Sequence, residues 1–106
     1  MKKTLSIGWT TVNSEKAAES LAREIIEQKL AACVQIDGPI HSIYKWEGII
    51  QSEREWRLMI KFSSRQSEKL NVFIEDNHPY GEPEWVVLRA DQVAPDYLKW
   101  AFGQDG

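Results

Sequence analysis

Residues 55–62, Glu55-Trp56-Arg57-Leu58-Met59-Ile60-Lys61-Phe62, carry the clearest fold signal in this chain. Trp56, Leu58, Ile60 and Phe62 fall on one side of the run, and Glu55, Arg57, Met59 and Lys61 on the other. That two-residue period is the signature of a strand with one face in a core. Residues 40–47 alternate in the same way, and Gly48 supplies a turn between the two runs. Residues 40–63 therefore read as one long hairpin. Residues 31–37 lead into it as a strand, and Gly38-Pro39 bends or bulges the join, because proline has no N–H to give to a ladder.

Working outward, residues 4–12 form a strand with Leu5, Ile7 and Trp9 on one face and Ser6, Gly8 and Thr10 on the other. Asn13 or Ser14 caps a helix over residues 14–30, whose apolar stripe runs through Ala18, Leu21, Ala22 and Ile25 and is widened by Ile26 and Leu30. After the hairpin, Ser64 caps a second helix that buries Leu70, Phe73 and Ile74 and ends before Pro79. Residues 85–90 make a last strand, less alternating and so expected to be central or covered on both faces. Pro95 opens a short final helix bearing Tyr97, Leu98 and Ala101.

The order β-α-β-β-α-β plus a C-terminal helix predicts an α+β, ferredoxin-like fold. Two right-handed crossovers place both long helices on one face of an antiparallel sheet. Residues 1–106 form a single domain. Nothing in the chain is left to cover the other sheet face, and the long hairpin leaves exposed edges that invite pairing. A symmetric homo-oligomer, closed by Tyr44, Trp46 and the helix with Trp100, satisfies both demands. Five tryptophans in 106 residues point the same way.

Composition narrows the function. A net charge of −3, with 13 scattered Lys and Arg, argues against a nucleic-acid partner. No apolar run approaches the ~20 residues of a membrane span, and Met1-Lys2-Lys3 is not followed by an export signal, so the expected location is the cytoplasm. The single cysteine, Cys33, has no internal partner and sits among small apolar residues, as a buried structural thiol would.

The polar segment Asn77-His78-Pro79-Tyr80-Gly81-Glu82-Pro83-Glu84-Trp85 is the candidate site. Its prolines fix φ and hold His78 and Glu82 extended, so the loop presents an imidazole, a phenol and two carboxylates from a stiff frame. His78 is either a metal ligand or proton carrier, or simply the end of the second helix, where a cation suits the dipole. Lys61 and Glu84 read as a pair that fixes an interface or binds a small anion. Tyr80 and Trp46, with Tyr44, could floor a cleft between subunits. No nucleophile with an adjacent base, phosphate loop or metal-spaced cluster is present, so the expectation is a protein that is not an enzyme.

Over nearly its whole length the sequence resembles the CutA divalent-cation-tolerance family. The matching residues are Leu30-Ala31-Ala32-Cys33-Val34, Ser42-Ile43-Tyr44-Lys45-Trp46-Glu47-Gly48, Glu55, Ile60-Lys61, His78-Pro79-Tyr80, Pro83-Glu84 and Asp96-Tyr97-Leu98-Lys99-Trp100. The resemblance implies a cytosolic, PII-like homotrimer associated with tolerance to copper and other divalent cations. Binding or signalling, rather than catalysis, would be its role. An alternative is a PII-like sensor taking a small anionic metabolite into the inter-subunit cleft. The resemblance also implies copper or another divalent cation, weakly held, as the possible cofactor. Members that bind copper carry a cysteine where this chain has Trp9 and paired histidines where it has Asn77-His78. His78 is the part of that set kept here.

Overall fold

The structure is a computed structural model and describes residues 4–104. Met1, Lys2 and Lys3, on which part of the reading of the N-terminus falls, lie outside the described residues. The elements run β1 (Leu5–Val12), α1 (Glu15–Glu27), β2 (Cys33–Trp46), β3 (Ile49–Ser63), α2 (Ser67–Asn77), β4 (Val86–Arg89) and α3 (Pro95–Phe102). The strands form one antiparallel sheet in the order β2-β3-β1-β4. This is the α+β, ferredoxin-like arrangement expected from the sequence.

Ser14 caps α1, its Oγ accepting the Ala17 N–H at 3.0 Å, which satisfies one of the helix's free donors. Ala18, Leu21, Ala22 and Ile25 are buried on one stripe. They meet Leu58, Ile60 and Phe62 of β3 and Leu70, Phe73 and Ile74 of α2 in a single core. The long hairpin closes through Glu47 and Gly48, at φ 50° and 80°, the pair of positive φ values that a tight hairpin turn requires. The register of β2 on β3 slips between Asp37 and Ile40, where Pro39 interrupts the ladder. Outboard of that slip the hairpin carries Ile43, Ile49 and Ile50, each exposed. It draws the chain out to 45 Å against 26 and 22 Å.

Three expectations are corrected. First, β4 is not central: it pairs with β1 alone and forms an edge of the sheet. Val86 and Leu88 are 50% and 58% exposed. Its unbroken apolar character signals cover on two faces, but among the described residues only the Val87 side is packed on the core.

Second, the face opposite α1 and α2 is not wholly bare. Lys61 projects from it, and the Tyr97 ring of α3 lies 5.6 Å from the Lys61 ammonium, with Ala101 fully buried. Thus α3 covers the Lys61 end of that face. Third, Ser64 does not cap α2. A short 3-10 turn over Ser64–Gln66 precedes α2, which starts at Ser67 without a side-chain cap. The Ser64 hydroxyl is instead 2.7 Å from that of Ser6, on β1.

In β1 the two faces are used in an unexpected way. Ser6 and Thr10 are buried towards the helices, with Gly8 between them. Gly8 is needed there because the Trp85 indole lies on it, and a Cβ would fall 2.4 Å from the ring. The apolar side chains Ile7 and Trp9 point to the other face and stay half exposed, aligned with Leu88 and Val86 on β4 and with Lys61 and Met59 on β3. An apolar stripe is thus directed away from the chain's own core.

Candidate functional site

The loop 78–84 leaves the end of α2, passes over the Thr10–Thr11 end of β1 and reaches the outer half of the hairpin. His78 anchors it. The backbone N–H of Tyr80 donates to His78 Nδ1 at 3.1 Å, so that nitrogen must be the acceptor and the ring proton resides on Nε2. His78 Nε2 lies 2.9 Å from the Thr11 carbonyl oxygen and 2.9 Å from Thr10 Oγ1, and its N–H donates to them. The ring is buried. Burial lowers its pKa below the usual value near 6.5, although the Thr11 carbonyl and the Glu55 charge pull the other way. The imidazole is therefore neutral at pH 7 and bonded at both nitrogens.

Beyond His78 the loop turns its phenol and carboxylates onto β3. The Tyr80 hydroxyl donates to Glu55 Oε2 at 2.8 Å, and burial with that bond raises the Tyr80 pKa above its ordinary range. Glu55 is itself buried, with 7% of its surface exposed. Glu84 stands on the same side, its pKa raised by burial and by the Glu55 charge and lowered by Arg57. The Arg57 guanidinium is committed to Asp37, at 2.8 Å and 3.3 Å.

Together these groups wall a cleft of about 720 Å³ in which Tyr80, Glu82 and Glu84 face Tyr44, Trp46 and Glu55. It is open, acidic and aromatic. Because Glu84's pKa is raised, its ionised form works against folding, a cost absent below the unfolded value near 4.5 and growing as pH rises through the folded one. Glu84→Gln is accordingly expected to raise the melting temperature at pH 7, and the gain to shrink towards zero near about pH 4. Thermal unfolding followed at both pH values checks it.

Of the residues picked out by sequence, the fold brings Tyr80, Glu84 and Trp46 to one cleft and sets His78 behind it. Lys61 is elsewhere. It is aligned with Ile7, and Ile7 with Leu88, so Glu84, four residues before Leu88, lies towards the far end of the sheet. No Lys61–Glu84 pair forms, and Arg57 is the basic group that Glu84 feels. Cys33 is half-buried on edge strand β2 and aligned with Lys61. Glu55, Thr10 and Thr11 complete the site, and no local pattern marks them, since each meets the loop across a long sequence separation.

The donors do not suit a soft metal centre within one chain. His78 has no free lone pair, and the Asn77 amide is turned back onto the Phe73 carbonyl at 2.9 Å. Trp9 points to the face opposite Thr10. Among the described residues, no three His, Cys, Asp or Glu side chains converge on one point.

A ferredoxin-like domain with an overlong hairpin, two open sheet edges and a proline-framed cleft is the class of protein that these features define. The chain belongs to the CutA1 divalent ion tolerance protein family, whose profile matches residues 6–104. It is 38% identical over 97 residues to mouse "Protein CutA", covering 92% of this chain and 55% of that protein. It is 37% identical over 90 residues to the "Divalent-cation tolerance protein CutA" of Yersinia pestis, covering 85% and 76%. The chain thus spans little more than half of the mouse relative. Among solved structures it is similar to CutA1 from Oryza sativa, at 34% identity and TM-score 0.93, covering 97% of this chain and 94% of that one. A divalent cation tolerance protein from Thermus thermophilus is 33% identical with TM-score 0.91, covering 96% and 99%.

Proposed function

We propose that the chain acts in the cytoplasm as a homotrimer in divalent-cation tolerance, by binding or signalling rather than catalysis, with the Tyr80–Glu84 cleft as its working surface. The observation that carries this reading is the apolar stripe turned away from the core. Ile7, Trp9, Val86 and Leu88 lie side by side on a sheet face whose edges are open, and Ile43, Ile49 and Ile50 crowd the projecting hairpin. Water-exposed apolar area of this extent marks an interface, and burying it is worth roughly 25 cal/mol per Å². A closed ring of copies covers both open edges at once.

For the cleft, the chemistry favours a cationic over an anionic visitor. Glu53, Glu55, Glu82 and Glu84 all line it, while the nearby Arg57 is held by Asp37. This weighs against the small-anion sensor. A hard cation would find oxygen donors here, completed by water or by a second subunit. We infer that His78 serves the loop's shape and takes no part in holding a metal.

Sedimentation equilibrium at micromolar concentration is expected to return three times the chain mass of 12.3 kDa. A single-chain mass would leave the apolar stripe uncovered and remove this reading.

A further inference from the structure

We propose that His78 is an acid-sensitive latch: its protonation releases the Tyr80 backbone and opens the wall of the cleft. The inference rests on the reading of the cleft as the working surface and adds how that surface is controlled.

The geometry sets a conflict between two proton states. Tyr80 N–H can only donate, and it aims at Nδ1 from 3.1 Å. A proton added to Nδ1 makes that atom a donor too, so two N–H groups face each other and the bond is lost. The Nε2 side cannot absorb the change by turning over. It already donates towards the Thr11 carbonyl and Thr10 Oγ1, each at 2.9 Å, and rotating the ring would break both contacts. The Tyr80 side is thus the one that yields.

Motion there is transmitted directly, because the same residue that bonds the imidazole also bonds the cleft. The two rings lie 5.0 Å apart, and the Tyr80 hydroxyl is tied to Glu55. Pro79 and Pro83 make the segment move as a stiff unit rather than fray.

Among the described residues, the groups around the imidazole are few. β1 contributes only the neutral Thr10 and Thr11, the loop contributes Tyr80, and β3 contributes the Glu55 carboxylate, which favours the proton. On α2 itself Glu75 and Asp76 are exposed. Burial outweighs Glu55 and sets the titration below the ordinary histidine value. The latch is therefore closed at neutral pH and opens as pH falls through the His78 titration, on the acid side of the ordinary histidine value. Glu84 titrates in acid as well and has to be separated from it.

The test is an NMR titration of the assembled protein from about pH 7.5 to about pH 5, reading the His78 ring and the hydrogen-exchange protection of the Tyr80 amide. Tyr80 protection is expected to fall with the His78 midpoint, by up to about tenfold per pH unit below it. Glu84→Gln should leave that fall in place, and His78→Gln should abolish it. If His78→Gln does not fold, the wild-type and Glu84→Gln titrations decide alone.

Tyr80 protection that stays level while His78 protonates overturns the proposal. So does a fall that disappears in Glu84→Gln. Sedimentation at both pH values, on the same samples, keeps this result apart from the oligomer. A trimer with an unresponsive Tyr80 amide defeats the latch alone.

Discussion

Replacing Phe62 by alanine is expected to cost about 3–5 kcal/mol, the range for removing a large buried aromatic. Phe62 is fully buried, near the end of the inner strand β3. It stacks on Trp85 with ring centroids 6.4 Å apart and planes 22° from parallel. Trp85 in turn lies on Gly8 and donates its indole N–H to Asn71 at 2.7 Å. The cavity would therefore open beneath a ring that joins α2, β1 and the start of β4. Set against a typical domain stability of about 5–15 kcal/mol, the loss takes much of the margin. Urea unfolding should show a lower midpoint with an unchanged slope. A cost under about 1 kcal/mol would mean that the ring is not packed as described.

His78→Leu is expected to be nearly as damaging, for a different reason. Leucine keeps the bulk but strands the Tyr80 N–H, the Thr11 carbonyl and the Thr10 hydroxyl. Buried polar groups left without partners cost roughly 1–3 kcal/mol each. Tyr80 is only half-buried and water relieves it in part, so a total near about 3 kcal/mol follows.

The pH dependence gives this prediction its signature. With a folded pKa below the unfolded value, His78's contribution is fully present above about pH 6.5 and is lost as pH falls through the folded value. The stability gap between wild type and His78→Leu should accordingly narrow in acid. Denaturant midpoints at about pH 7.5 and about pH 5 measure it, and a gap that stays constant would show that the imidazole is not the titrating group.

Much of the fold was legible in the residues because local periods reflect the core directly. Ala18, Leu21, Ala22 and Ile25 repeat at helical spacing, and that stripe is the buried one. Leu58, Ile60 and Phe62 alternate, and all three are fully buried. The slip at Asp37–Ile40 was readable from Pro39, whose missing N–H cannot be supplied from elsewhere. What was not legible depends on partners far along the chain. Ser64 looks like a helix cap, but its hydroxyl finds Ser6, 58 residues away. β4 looks like a central strand because its apolar residues do not alternate. Periodicity records how many faces are apolar, not which molecule covers them.

The site divides along the same line. Two prolines announced the stiff loop, and Tyr80, Glu84 and Trp46 do line one cleft. The role of His78 stayed open in sequence because its partners on β1 lie 67 and 68 residues away. Membership of one sheet suggests a Lys61–Glu84 pair, whereas the register of β1 with β3 and β4 sets Glu84 well along the sheet from Lys61. A shared sheet does not imply a shared neighbourhood.

Small-angle X-ray scattering of the purified chain tests the central claim, that the stripe through Ile7, Trp9, Val86 and Leu88 is buried by sister copies. The expected forward scattering equals three chains of 12.3 kDa, with a radius of gyration well above the 14.5 Å of one chain. A particle of one chain's mass with a radius near 14.5 Å would contradict it.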